Sequence, residues 1–198
     1  MARGSEPAGP RRLGVVNREQ LAHVLRAAAR IVEDGDILVL GSQSILGTLD
    51  APRLPPEAVL SVEADLAFLD DPDEAKSDDV DGQIGEGSAF HAEFGYSAQG
   101  VTLATAVLPD GWRDRLIAFD RPDAEPSHAR CLEAHDLVVA KLVANREKDR
   151  EFATALIGSQ LVDVRTLLDR IQLLDQPEAV QMRARRAIES CARAAGSG

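Results

Sequence analysis

Between Ser61 and Leu69 the chain runs Ser61-Val62-Glu63-Ala64-Asp65-Leu66-Ala67-Phe68-Leu69, and this segment constrains the fold more than any other. A β-strand sends alternate side chains to opposite faces. Val62, Ala64 and Leu66 then form an apolar face, while Glu63 and Asp65 project together from the other, roughly 7 Å apart. Two like charges side by side repel, and a folded chain tolerates them best with a cation between them. On a half-exposed edge strand, alternating acids are simply the solvated face. Leu60, Leu66, Phe68 and Leu69 make this run more apolar than an ordinary edge, which favours a site. Hard oxygen donors of this kind suit Mg²⁺ or Mn²⁺.

The surrounding elements follow from periodicity. Asn17 to Glu33 predicts an amphipathic helix, with Asn17 as N-cap, Gln20 at the capping-box position and Leu21, Val24, Leu25, Ala28 and Val32 on one stripe. Ile37 to Leu40 is a short apolar run, read as a buried strand. A turn at Gly41-Ser42-Gln43-Ser44 leads into a short helix up to Leu49. Pro52, Pro55 and Pro56 keep the next stretch irregular. Leu60 to Leu69 is the second strand, and the acidic stretch after it holds a solvated helix around Asp73 to Val80. Between Gly82 and Asp120 the chain is Gly-rich, with strands expected at Tyr96 to Leu103 and Leu116 to Phe119. Helices are expected at Glu133 to Arg146, Lys148 to Ile157, Val162 to Leu174 and Glu178 to Ala194.

This order predicts an α/β (α+β) fold: a small mixed sheet backed by helices, with a helical C-terminal region. Residues 1–12, rich in Gly, Pro and Arg and without an apolar stretch, are read as a disordered lead-in rather than a secretory signal. Residues 13–125 form the core and 126–198 the helical region. No run approaches the roughly 18 apolar residues of a membrane span. Cys131 and Cys191 are far apart, so a reducing cytoplasm is expected. The net charge of −11 counts against a broad grip on a polyanion, although a local patch such as Arg146, Lys148 and Arg150 can act alone.

Three segments carry chemistry together. Gly41-Ser42 leaves a buried strand, where glycine admits a phosphate to the backbone and Ser42 can hydrogen-bond it. Alone, this is an ordinary strand-to-helix turn. Glu63 and Asp65 are the candidate metal ligands. In Lys141-Leu142-Val143-Ala144-Asn145-Arg146-Glu147-Lys148-Asp149, a continuous helix would put Lys141, Asn145 and Lys148 on one face, with Asp149 beside them. Such cations hold phosphates, and the carboxylate can orient a nucleophile or accept its proton. A solvated face laced with ion pairs is the simpler reading, except that Lys141 interrupts an apolar run where a buried cation needs a partner. His128, Cys131 and His135 are spaced loosely like metal ligands, but nothing completes the set. His91, Glu93 and Tyr96 read as loop residues.

The order strand-Gly-Ser, strand acidic pair, helical Lys with a following Asp resembles the minimal nucleotidyltransferase fold of the polymerase β superfamily. The likeness is strongest to the AbiEii and MenT toxins of toxin–antitoxin systems and spans about Leu13 to Arg170. The resemblance implies that Gly41 and Ser42 hold the β- and γ-phosphates of an NTP. It makes Glu63 and Asp65 ligands of Mg²⁺, Lys141 the triphosphate contact and Asp149 a catalytic acid, with Asp163 an alternative third carboxylate. Arg146 and Lys148 join the nucleotide contacts. It further implies a toxin that moves a nucleotide, a pyrimidine for preference, from NTP to the 3′ acceptor end of tRNA, with a cognate antitoxin as partner. Two alternatives stay open: nucleotide transfer to a protein side chain, and a non-catalytic nucleotide-binding module.

Overall fold

The computed structural model describes residues 16–49, 53–59 and 61–196; the expected lead-in at 1–12, Pro52 in the irregular stretch and Leu60 at the start of the second strand lie outside them. The first helix, α1 (Arg18–Ile31), starts as its sequence dictates. Gln20 N–H donates to Asn17 Oδ1 and Asn17 N–H to Gln20 Oε1, both at 2.9 Å, so two otherwise orphaned donors are satisfied. Leu21, Val24, Leu25 and Ala28 on its inner stripe are fully buried.

Strand β1 (Ile37–Val39) is buried along its whole length, as its unbroken apolar run requires. Burying each of its side chains contributes about 1.5–3 kcal/mol. A 3₁₀ turn at Ser42–Ser44 and helix α2 (Ile45–Thr48) follow it directly. Strand β2 (Glu63–Phe68) runs antiparallel to β1, with Val39 opposite Leu66. Helix α3 (Ala75–Ile84) starts where Asp71 accepts the Lys76 and Ser77 N–H groups. Lys76 Nζ reaches Asp34 at 2.7 Å, tying α3 to the loop after α1. Helix α4 (Ala89–Phe94) leads into strand β3 (Ser97–Gly100), which lies parallel to β2. A Cβ on Gly100 would fall 2.1 Å from the Ser77 carbonyl oxygen, so its absence lets α3 lie directly on β3.

Strands β4 (Ile117–Ala118) and β5 (Arg130–Cys131) complete a five-stranded mixed sheet in the order β3-β2-β1-β5-β4. Helices α5 (Ala134–Ala144), α6 (Glu147–Gly158), α7 (Val164–Ile171) and α8 (Glu178–Ala195) form the expected helical region. Asp136, 1% exposed, anchors the start of α5 by hydrogen bonds from Arg115 Nε and Nη2 and an ion-pair contact at 3.1 Å with Arg170. One hydrophobic cluster runs from α1 through the sheet to α8, and β5 joins the sheet from beyond residue 125. Among the described residues no helix is long and apolar enough to cross a membrane.

The mixed α/β architecture agrees with the expectation, but two elements were not foreseen. Strand β5 spans two residues, too few to show a period, and exists because Leu38 and Val39 offer it a partner. Helix α4 hid in the Gly-rich stretch, although Ser88 caps it by accepting from His91 N–H and Gly95, at φ 77°, ends it.

Candidate active site

The site forms where the end of β1 meets β2. Leu40 N–H donates to the Asp65 carbonyl at 3.0 Å, fixing the two backbones side by side. The next residue, Gly41, has an extended backbone (φ −81°, ψ −163°) that any residue adopts, so its need for glycine is spatial. A Cβ there would lie 1.5 Å from Asp65 Oδ2 and 2.5 Å from Asp65 Cγ. The Asp65 carboxylate thus occupies the space that a side chain on residue 41 would fill.

Two buried polar residues hold the turn that follows. Ser44 Oγ donates to the Val39 carbonyl, and Gln43 Nε2 donates to the Ser61 carbonyl at 2.6 Å. The second bond ties the turn to the entry of β2. Ser42, just before them, lines the cavity. Along β2 the predicted alternation holds: Ala64 and Leu66 are fully buried, while Glu63 and Asp65 are partly exposed on the opposite face.

The helical segment differs from one continuous face. Asn145 adopts the left-handed conformation (φ 56°, ψ 36°), ends α5, and receives Arg150 Nη1 on its carbonyl at 2.8 Å. The chain reverses there, so Lys141 and Lys148 reach the site from different helices. Asp149, at the third position of α6, has a fully buried side chain folded back onto Arg146, whose N–H and Nε lie at 3.1 and 2.8 Å. Its other oxygen lies 3.5 Å from Lys141 Nζ. The Lys141 side chain is 11% exposed, and its ammonium sits 4.9 Å from the centre of the Phe152 ring. The partner that a lysine in an apolar run required is therefore Asp149, with Phe152 beside it.

Two adjoining cavities receive these side chains. One, of about 370 Å³, is lined by Ser42, Glu63, Asp65, Lys141, Arg146 and Lys148 among others. The second, of about 310 Å³, lies against Gly41, Asp65, Lys141 and Arg146. Of the residues expected at the site, all but Asp149 and the alternative acid Asp163 line one or both cavities, and Asp149 stands behind Lys141. Asp163 caps α7 by accepting from the N–H and hydroxyl of Thr166. Tyr96 OH pairs with His23 Nδ1, and neither His91 nor Glu93 lines either cavity. Sequence reasoning missed Gln99, which lines both cavities; its alternation with Ser97 on one strand was the available signal. It also missed Glu57, Ser61 and Glu151 on the wall of the first cavity.

Electrostatics reflect this crowding. Burial pushes the Glu63 carboxyl above its ordinary value, reinforced by the charges of Asp65, Glu86 and Asp81. Burial likewise raises Asp65, against the pull of Lys141, Lys148 and Arg146. Burial lowers Lys141, opposed by Asp149 and Asp65. Burial acts to raise Asp149 too, but the Arg146 hydrogen bond and the Lys141 charge outweigh it and hold that carboxyl below the usual range.

The donor set fits a small hard cation. Two carboxylates whose ionised forms are costly as they stand gain most from a divalent ion. Among the described residues no three His, Cys, Asp or Glu side chains gather as a full metal cage. Mg²⁺ does not need one, since it is commonly held by one or two carboxylates together with substrate phosphates.

A family described as "Nucleotidyltransferase of unknown function (DUF6036)" matches residues 19–189, a span that includes every site residue named above. No curated protein and no solved structure matches the chain.

Proposed function

Because the chain belongs to this nucleotidyltransferase family, we propose that it transfers a nucleoside monophosphate from an NTP to an acceptor hydroxyl, with Mg²⁺ or Mn²⁺ held by Glu63 and Asp65. The single observation that carries this reading is the packing of the Asp65 carboxylate against Gly41, with Lys141 and Ser42 on the same cavity. On this reading a metal ligand, a phosphate turn and a buried cation surround one point.

The residues divide the work. The Gly41-Ser42 backbone and the Ser42 hydroxyl hold the terminal phosphates, and Lys141, Arg146 and Lys148 supply the opposing charge. Lys141 is fixed by Asp149, which we read as a positioning residue because both of its oxygens are engaged. A bound divalent ion would neutralise the charge that develops on the phosphate oxygens. The acceptor oxygen forms a bond to the α-phosphorus, the bond from that phosphorus to the bridging oxygen breaks, pyrophosphate leaves, and the hydroxyl proton passes to solvent. Groups already fixed around the phosphates need little reorganisation during the reaction, which contributes to the rate.

The resemblance of the motif segments extends this to a cytoplasmic toxin acting on the 3′ end of tRNA and restrained by an antitoxin. A second reading, transfer to a protein side chain, has its own support. A groove of about 570 Å³ continues from the first cavity through the shared residues Glu57 and Glu151, and Glu147 adds a third carboxylate. Among the described residues its one lining cation, Arg150, is turned to Asn145. Such a wall repels a nucleic-acid backbone and suits a cationic peptide. Purified protein incubated with Mg²⁺, radiolabelled NTPs, total tRNA and a lysate protein fraction tests both readings. Label in tRNA supports the toxin reading and label in protein supports the other. Equal labelling by the Asp65→Asn variant would remove the proposed metal ligand from the mechanism.

A further inference from the structure

The two cavities that meet at the site differ in character. The first is lined by charged and polar side chains suited to a triphosphate and its metal. The second adds apolar wall from Leu40, Val101, Leu137 and Ala140 to the charged side chains that it shares with the first. They join at Asp65, Gln99, Lys141 and Arg146, which line both. An NTP has the same division: an anionic tail, and a nucleoside with apolar ring faces and one hydrogen-bonding edge.

Gln99 stands at the seam. It lies opposite Asp65 in the parallel β2–β3 register, so the two share a face of the sheet about 4.8 Å apart. Strand β3 is the edge of the sheet, and a glutamine there is ordinarily a solvated surface residue. Gln99 is exposed like such a residue, but it also borders both cavities, so its amide is open to a bound ligand. Among the described residues Thr105, the other uncharged polar side chain in the second cavity, donates its hydroxyl to the Thr102 carbonyl. The Gln99 amide presents a donor and an acceptor side by side, which is the pattern needed to read a base edge.

We propose that the apolar cavity is the nucleoside chamber and that Gln99 determines which base enters it. The inference rests on the triphosphate reading of the first cavity and adds the chemistry of the other half of the substrate. Base discrimination falls to the amide, since flat apolar walls accept any ring. The ion pair behind Lys141 holds the tail at a fixed distance from Gln99, so the base is read at one depth.

Titration calorimetry on the full chain with Mg²⁺, without acceptor, separates the two halves. The probes are inorganic tripolyphosphate and each of the common NTPs. The wild type is expected to bind tripolyphosphate and to rank the NTPs. Gln99→Leu should compress that ranking, removing a preference of up to about tenfold for the best base, while tripolyphosphate binds as before. Ala140→Phe should fill the chamber and weaken every NTP by roughly tenfold or more while sparing tripolyphosphate. A ranking that survives Gln99→Leu unchanged overturns the role of Gln99. Equal loss of tripolyphosphate and NTP in Ala140→Phe overturns the chamber. A folded wild type that binds neither probe overturns the triphosphate reading itself, and this inference with it.

Discussion

Replacing Gly41 by alanine tests the geometry on which the proposed chemistry depends. The new Cβ would start 1.5 Å from Asp65 Oδ2, 2.5 Å from Cγ and 3.0 Å from Cβ. Ordinary carbon–oxygen contact needs about 3.5 Å, so the carboxylate oxygen must move by about 2 Å. The β2 backbone cannot supply that movement, because the Asp65 carbonyl is bonded to Leu40 N–H at 3.0 Å in the middle of the sheet. The side chain must rotate instead, away from the seam between the cavities. Overpacking costs about 1–3 kcal/mol. The extended backbone at residue 41 suits alanine, so reduced freedom of the unfolded chain returns about 0.4–1 kcal/mol. The net loss of about 1–2 kcal/mol lowers Tm by roughly 2–8 °C in a chain of this size and leaves the protein folded at 25 °C. Catalysis should suffer far more, since a misplacement of this size costs on the order of 100-fold in rate. Initial rates of label transfer from NTP, measured beside a calorimetric melt, report both quantities. A Gly41→Ala protein that melts a few degrees low yet turns over within about threefold of wild type would refute the placement of Asp65 at the reacting centre.

Other perturbations have equally definite outcomes. Asp149→Ala leaves Lys141 buried with only Asp65 facing it, a loss near the low end for a broken buried pair, about 3 kcal/mol. Denaturant titration should show that loss, and Lys141→Met added to Asp149→Ala should recover part of the stability without activity. The carboxyls of Glu63 and Asp65 titrate above their ordinary values of 4.5 and 3.8, so Mg²⁺ would compete with protons for them as pH is lowered. Its apparent affinity should fall as pH is lowered toward those raised values, with proton release on binding; calorimetry in buffers of different ionisation enthalpy would expose a pH-independent affinity, the contrary result. The same shifts mean that the metal-free protein gains stability from this pair as pH falls through the raised values, whereas the contribution of Asp149, whose carboxyl is lowered, is present above 3.8 and lost as pH falls through its depressed folded value. Cys131, fully buried and pushed up to about 12, should react with alkylating reagents at pH 8 no faster than the protein unfolds, as peptide mapping after timed exposure would show.

Much of the scaffold was legible because its signals are local. The Asn17–Gln20 capping box, the apolar run of β1, and the alternation of Glu63 and Asp65 against Ala64 and Leu66 each depend on residues within a few positions of one another. Asn145 was less legible. Asparagine tolerates the left-handed conformation, but the apolar and charged pattern continues through it, and that one residue turns α6 back and delivers Asp149 to Lys141.

The sequence by itself thus determined which residues face together along a strand or helix, and so the acidic pair, the Gly41-Ser42 turn and the buried lysine. The tertiary structure alone decided what meets across elements. It set Gln99 beside Asp65 through the β2–β3 register, made β5 a strand by giving two residues an open edge on β1, and placed Asp149 behind Lys141 rather than among the ligands. It also supplied the true reason for Gly41, which is the Asp65 carboxylate lying where a side chain would be. Local patterns encode direction, whereas distance and burial arise only when separate segments pack, and the shifted carboxyls and the shaped cavity depend on both.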